Sequence, residues 1–192
     1  MQAPQAMQTP QAMRTNPLSP PPPPATPPPS LDPSKCYTVT VLIQRVRSAK
    51  IESGEMKGEI EAGAGGGEGA GGLICYVSFQ KGGDKDLKKD DKKLMEKIAN
   101  RLFSLKLLED NKNVKSTGGK NLVLIPSANL TCSLKGNNFQ YHKQVPKERS
   151  AALFSILKTE VVKRGGDGGV FGEVQKIKSD SWSGPFMHVA TF

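Results

Sequence analysis

A run of leucine and β-branched side chains, Leu122-Val123-Leu124-Ile125, stops at Pro126 and gives way to Ser127, Asn129, Thr131 and Ser133. An unbroken apolar run of this length reads as a buried strand. Proline ends its ladder because it has no N–H to donate. The polar side chains that follow are too many to bury cheaply, since each unpaired group costs ~1–3 kcal/mol. The stretch Leu122 to His142 is therefore expected to be a strand that opens on a polar shelf facing a ligand, water or a partner chain.

The rest of the pattern supplies a sheet for that strand and helices to cover it. Tyr37 to Val46 is β-branched and aromatic with a partial period of two, which predicts a strand, and Ala49 to Glu52 either prolongs it or begins a hairpin. Gly54 to Ile60 reads as a short strand bounded by glycines, and Leu73 to Phe79 as one from the middle of a sheet. Leu87, Leu94, Met95, Ile98, Leu102 and Leu105 recur at helical spacing behind a cap at Asp84 or Asp86. Leu105 to Leu108 is a candidate short strand. Pro146 suits a first helical residue, with Leu153, Ile156, Leu157 and Val161 forming the stripe of a helix that ends at Gly165-Gly166. Val170 to Ile177 and Phe186 to Phe192 predict strands around a turn that holds Ser183-Gly184-Pro185. Two helices with five or six strands make an α/β or α+β domain.

Composition separates this domain from what precedes it. Most of the 15 prolines lie before residue 34, and Met1 to Ser30 contains no acidic residue and only Arg14 as a cation. The segment repeats Pro-Gln-Ala-Met at Pro4 and Pro10 and includes the run Pro20 to Pro24. It cannot bury enough apolar surface to offset its ordering entropy, so residues 1–34 are expected to form a solvated tail with polyproline-II stretches, an SH3-type ligand being the alternative. The domain then spans 35–192, with a flexible insertion at about Gly63 to Gly72. That insertion spells Gly-x-Gly-x-x-Gly from Gly67 to Gly72, but a dinucleotide loop needs a strand before it and a helix after it, and here a strand follows. Ser116 to Lys120 lacks the first glycine and final hydroxyl residue of a phosphate loop and reads as a surface turn.

No apolar run reaches the ~18 residues of a membrane span, and no signal-peptide core is present, so a soluble, cytoplasmic protein without membrane attachment is expected. Cys36, Cys75 and Cys132 are widely spaced, and only His142 and His188 could join them, which argues against disulfides, a zinc site or a metal-based cofactor. The net charge of +9, dense in lysine over Lys81 to Lys97 and Lys106 to Lys120, suits a phosphate-bearing partner as well as it suits solvated helix faces. A Ser127, His142 and Asp180 triad, or a Cys132 and His142 pair, would supply a nucleophile, though spacing alone specifies neither.

Longer motifs are more specific. Ile125-Pro126-Ser127-Ala128-Asn129-Leu130, followed by Leu134-Lys135-Gly136-Asn137-Asn138-Phe139-Gln140-Tyr141-His142, resembles the D-aminoacyl-tRNA deacylase superfamily, in particular its animal-type tRNA deacylase branch. That branch has Pro-Gln-Ala-Thr-Leu and then Leu-Lys-Gly-x-Asn-x-Gln-Tyr-His. Tyr76 to Lys85 resembles its second strand and turn, and Gly184-Pro185-Phe186 with His188 its last strand. Gln44-Arg45-Val46 instead resembles the D-specific branch, and one extra residue lies between Phe171 and Gly184.

The resemblance implies a barrel-like mixed sheet packed with two main helices. It implies a homodimer with active sites at the interface, and hydrolysis of the ester that joins an amino acid to the 3′ terminus of tRNA. By position it makes Ser127, Ala128, Asn129 and Leu130 a catalytic backbone cradle, assisted by the substrate 2′-hydroxyl. Pro126, Ser183, Gly184, Pro185, Phe79 and Phe171 become substrate-binding residues, and Lys135 and Lys81 tRNA contacts. Ser127 and Asn129 stand where the family has Gln and Thr, so a threonine nucleophile is lost. The Gly184-Pro185 bond is cis in the D-specific branch and trans in the animal-type branch, and the mixed motifs leave both open. D-aminoacyl-tRNA is the expected substrate class. Glycyl- or L-alanyl-tRNA is the alternative within the family, and an inactive RNA-binding homologue the alternative outside it.

Overall fold

β-Branched residues recur from Thr38 to Ile51, and one strand, β1, runs unbroken through Tyr37–Ser53. It extends well beyond Val46, so the Ala49 to Glu52 stretch prolongs the strand. The computed structural model describes residues 37–60, 71–82, 90–118, 120–181 and 186–192. The tail 1–34, Asp84, Asp86, Leu87, Ser183, Gly184, Pro185 and all but the last two residues of the Gly63 to Gly72 stretch lie outside them.

In chain order β1 is followed by β2 (Met56–Ile60), β3 (Gly72–Lys81), helix α1 (Asp91–Ser104), β4 (Leu122–Pro126), β5 (Ser133–Lys135), β6 (Asn138–Gln140), helix α2 (Lys147–Val162), β7 (Asp167–Gly168), β8 (Gln175–Ser181) and β9 (Met187–Thr191). β1 is the hub: β3 and β9 flank its first half, β2 and β8 its second. Beyond β3 the sheet continues through β4 and β7, each parallel to its neighbour. Parallel neighbours need a long crossover, and each crossover here carries a helix. The β7 edge then returns to β1, where the Val170 N–H donates to the buried Ser53 Oγ at 2.7 Å. The sheet is thus nearly closed, a barrel-like arrangement with two helices packed on it.

Alternation along the strands sorts two cores. Val39, Val41 and Ile43 of β1, Leu73, Cys75 and Val77 of β3, and Leu122 and Leu124 of β4 meet the helices, while Ile74, Val123 and Ile125 point into the barrel. A register shift between Val46 and Ser48 resets the phase of β1, so Val46, Ala49 and Ile51 all join the inner cluster. α1 contributes Met95, Ile98, Leu102 and Phe103, and α2 contributes Leu153, Phe154, Leu157 and Val161. The first turns of both helices are tied to β1 by one node. Tyr37 donates to Asp91 Oδ1 at 2.8 Å and Arg149 to Asp91 Oδ2 at 2.6 Å. Burial, reinforced by Asp91, pushes the Tyr37 hydroxyl pKa up.

Several boundaries differ from the sequence expectation for local reasons. The cap of α1 is Asp90, whose carboxylate accepts the Lys93 N–H at 3.2 Å, rather than Asp84 or Asp86. Leu105 to Leu108 is a turn in which the Leu107 N–H donates to the Leu105 carbonyl at 3.0 Å. Its leucines are apolar because they pack on the helix-side core, with no strand to pair with. Pro146 sits at the cap of α2, one residue before the helix starts. The chain turns at Gly172, where φ is 88°, so only the end of Val170 to Ile177 is strand. The described residues hold nine strands because the β5–β6 ribbon and the two-residue β7 escaped the pattern.

Glu160 of α2 is buried and accepts from Lys163 at 2.7 Å and Arg164 at 2.9 Å. The hydrogen bond from Lys163, then that from Arg164, holds its carboxyl below the usual carboxylate range. A depressed folded-state pKa stabilises above the unfolded value and is lost as pH falls through the folded one. Glu160→Gln is therefore expected to melt below the parent at neutral pH. The gap should shrink as pH drops from ~4.3 downward, read from thermal midpoints across a pH series.

Candidate active site

β3 and β4 run parallel and end side by side, and a cavity of about 410 Å³ opens at their C-terminal ends. This is where parallel α/β sheets commonly bind ligands. Val77, Ser78 and Phe79 form one wall and Pro126, Ser127 and Ala128 the next. The approach to α2 adds Gln144, Val145, Lys147 and Ser150, and the turn before β8 adds Phe171, Gly172 and Glu173. Phe171 is backed by Phe154 of α2, with ring centroids 6.0 Å apart.

The polar shelf is a single 3-10 turn, Ala128–Thr131, fixed to β3 at both ends. Ser127, extended at φ −142° and ψ 99°, donates its N–H to the Val77 carbonyl at 2.8 Å. Thr131 is buried with its hydroxyl 2.9 Å from that of Ser78. Thr131 therefore anchors the turn and does not face a ligand as the sequence suggested. The Ala128 carbonyl accepts from Gln144 Nε2 at 2.5 Å. The first N–H groups of a helical turn have no acceptor inside it, which leaves those of Ala128 and Asn129 available.

Pro126, Ser127, Ala128, Phe79 and Phe171 are thus brought together as walls of one cavity. Asn129, exposed, and Leu130, half-buried, continue the turn outside the cavity walls. Lys81 is exposed and donates to the His142 carbonyl at 3.3 Å, and Lys135 lies on the exposed β5–β6 ribbon. The triad is not assembled: Asp180 lines a separate depression with Lys50 and Lys178, and no hydrogen bond among the described residues joins Ser127, His142 and Asp180. Nor does one join Cys132 to His142. Burial pushes the Cys75 thiol pKa up, which keeps it unreactive. Sequence reasoning missed Ser78, Gln144, Lys147, Ser150 and Glu173. The only available signal was Pro146, which starts a helix beside the strand ends.

Ser183, Gly184 and Pro185 lie outside the described residues, but both flanks are fastened to β1. Ser181 accepts from Gln44 Nε2 at 3.0 Å, Tyr76 donates to the same Gln44 at 3.1 Å, and the Arg45 N–H donates to the Phe186 carbonyl at 2.7 Å.

These elements are those of a known group. The family model described as D-Tyr-tRNA(Tyr) deacylase matches residues 42–191, from β1 through β9 and including every wall of the cavity. This chain belongs to the D-Tyr-tRNA(Tyr) deacylase family. A human protein named D-aminoacyl-tRNA deacylase 2 is 34% identical over 136 residues, covering 63% of this chain and 76% of that protein. A solved structure described as a probable eukaryotic D-amino acid tRNA deacylase superposes with a TM-score of 0.63 at 18% identity, over 81% of this chain and all of that one. Another, described as a c-Myc DNA unwinding element binding protein, superposes with a TM-score of 0.58 at 19% identity, over 79% of this chain and 97% of that one. At these identities the two structures speak for the fold. As a member of the family the deacylase is a hydrolase of the ester in D-aminoacyl-tRNA. No helix among its described residues is long and apolar enough to cross a membrane.

Proposed function

We propose that the deacylase clears wrongly charged tRNA in trans in this cavity, and that its backbone rather than its side chains performs the chemistry. The observation that carries this reading is the pinned turn at the cavity wall, whose first N–H, that of Ala128, has no acceptor within the turn, while Ser127 and Asn129 stand where the resemblance has Gln and Thr. Water adds to the ester carbonyl, assisted by the vicinal 2′-hydroxyl of the terminal adenosine, which makes activation intramolecular. The tetrahedral oxyanion accepts hydrogen bonds from the turn, each such donor being worth ~10²–10³ in rate. Collapse breaks the bond to the 3′-oxygen, which takes up the proton released by water, and the amino acid leaves as its acid. Phe79, Pro126 and Phe171 enclose the amino-acid side, and no cofactor enters the step.

The active unit is a homodimer. Val39 pairs with Phe79 at the cavity end of the β1–β3 ladder, whereas Arg45 and Val46, which hold Phe186 and Ser181, pair with Leu73 and Gly72 at the other. Six strand residues span ~20 Å, so the described flanks Ser181 and Phe186 lie far from the chain's own cavity, which suits a site shared with a second copy. Met187 and Val189, 51% and 70% exposed beside Gln44 and Leu42, give a second copy an apolar face to cover. A cytoplasmic setting suits the free thiols of Cys75 and Cys132.

D-aminoacyl-tRNA is the substrate favoured by the family and by the name of the human relative. The second reading, a nucleic-acid-binding protein without turnover, draws on Ser127 and Asn129 and on the DNA-binding structural neighbour. Purified protein is incubated with D-aminoacyl-, glycyl- and L-alanyl-tRNA and ester loss followed. Hydrolysis of the D-ester is expected. Preference for the glycyl or L-alanyl ester reassigns the substrate, and tight binding with no acceleration at micromolar protein removes the enzymatic reading.

A further inference from the structure

The β5–β6 ribbon stands out from the domain, and both its roots lead to walls of the cavity. The chain reaches it from Ser127 and Ala128 through the 3-10 turn and leaves it through Tyr141 to Lys143 for Gln144 and Val145. Leu134 lies opposite Phe139, while Ser133 and Lys135 lie opposite Gln140 and Asn138. Because side chains alternate, Leu134 and Phe139 share one face and the polar residues share the other. The apolar face is uncovered: Leu134 is 67% exposed, Phe139 64% and the following Tyr141 44%. A lone two-stranded ribbon is marginal in water, and one with exposed aromatics is a surface built to be covered.

Charge decides by what. Residues 111–147 include Lys112, Lys115, Lys120, Lys135, Lys143 and Lys147 but no Asp or Glu. An extended ribbon with exposed aromatics on one face and Lys135 on the other, followed by Lys143 and itself free of Asp and Glu, matches the way unpaired nucleotides are bound: bases stack on the rings and phosphates meet the cations. We propose that the ribbon Ser133–Gln140, with Tyr141, is a platform for the unpaired 3′-terminal nucleotides of tRNA. Phe139 stacks a base, and Lys135 and Lys143 meet phosphates. The terminal aminoacyl-adenosine passes on into the cavity between the ribbon's roots. This placement rests on the deacylase reading of the cavity.

The test measures the affinity of the full-length protein for uncharged bulk tRNA with an intact 3′-terminal CCA and for the same tRNA trimmed of it. Phe139→Ala is expected to weaken binding of intact tRNA by about 5- to 100-fold, the range for one lost stack, with a much smaller loss on trimmed tRNA. Phe139→Trp should restore it. Lys135→Gln should reduce the slope of log affinity against log salt by about 0.7–0.9. Equal losses on both tRNAs, or no loss, overturn the proposal. So does a change in oligomeric state of Phe139→Ala by sedimentation, which would hand the face to a second copy. Hydrolysis of a D-aminoacyl-adenosine by the wild-type protein keeps the two claims apart: it reports the cavity without the platform, and its absence counts against the deacylase reading alone.

Discussion

Ala128→Pro is expected to lower the rate of ester hydrolysis by ~10²–10³-fold while the protein stays folded. Proline is tolerated here for local reasons. Ala128 is the first residue of its 3-10 turn, a position whose N–H has no acceptor within the turn and which proline's fixed φ suits. The preceding Ser127 is already extended, as a residue before proline must be. The Ala128 carbonyl, which holds Gln144, is retained. The substitution thus deletes one backbone donor and little else. Single-turnover hydrolysis of D-aminoacyl-tRNA, compared with the thermal midpoint of the same preparation, checks it. An unchanged rate in a folded variant would show that this N–H plays no part.

Phe154→Ala should cost ~3–5 kcal/mol of folding stability and loosen the cavity as well. Phe154 is 2% exposed and fills the space between α2 and the sheet. Removing it leaves a void that the close-packed neighbours Leu153 and Leu157 can only partly fill. Its ring also backs Phe171 at 6.0 Å, so the cavity wall contributed by that residue loses its support. Chemical denaturation should report the stability loss. A rise in KM for aminoacyl-tRNA larger than that of an equally destabilised helix-side variant such as Leu102→Ala, at a residue that does not line the cavity, would separate the second effect from the first.

The framework was legible in the sequence because burial writes itself into composition. Leu73 to Phe79, apart from Ser78, and Leu122 to Ile125 are apolar runs, since both their faces are covered by helices on one side and barrel on the other. Leu153, Leu157 and Val161 repeat at helical spacing because one stripe of α2 meets the sheet. What could not be read depends on encounters between distant segments. Leu105 to Leu108 looked like a strand because packing on a core demands apolar residues whether or not a ladder is present. The ribbon Ser133–Gln140 was hidden because its strands are too short to show alternation, although Gly136, at φ 59° in a two-residue turn, is a hairpin signal. Thr131 looked available for a ligand until Ser78 was found beneath it.

The candidate site divides along the same line. Pro126 and Ser127 were identifiable because the apolar strand gives way to polar residues there, whereas Ala128, Phe79 and Phe171 were implied by the family resemblance. Gln144, Lys147 and Glu173 reach the cavity through the α2 approach and the Gly172 turn, and no local pattern marks them.

The most direct test of a backbone-built site is the Ser127→Ala/Asn129→Ala double variant, assayed for D-aminoacyl-tRNA hydrolysis under single-turnover conditions. Both side chains go while every backbone N–H of the turn remains. A rate within about tenfold of the parent is predicted, well short of the ~10²–10⁴ that a positioned side-chain acid or base supplies. Complete loss of hydrolysis in a variant that melts like the parent would contradict the account and return the chemistry to Ser127 or Asn129.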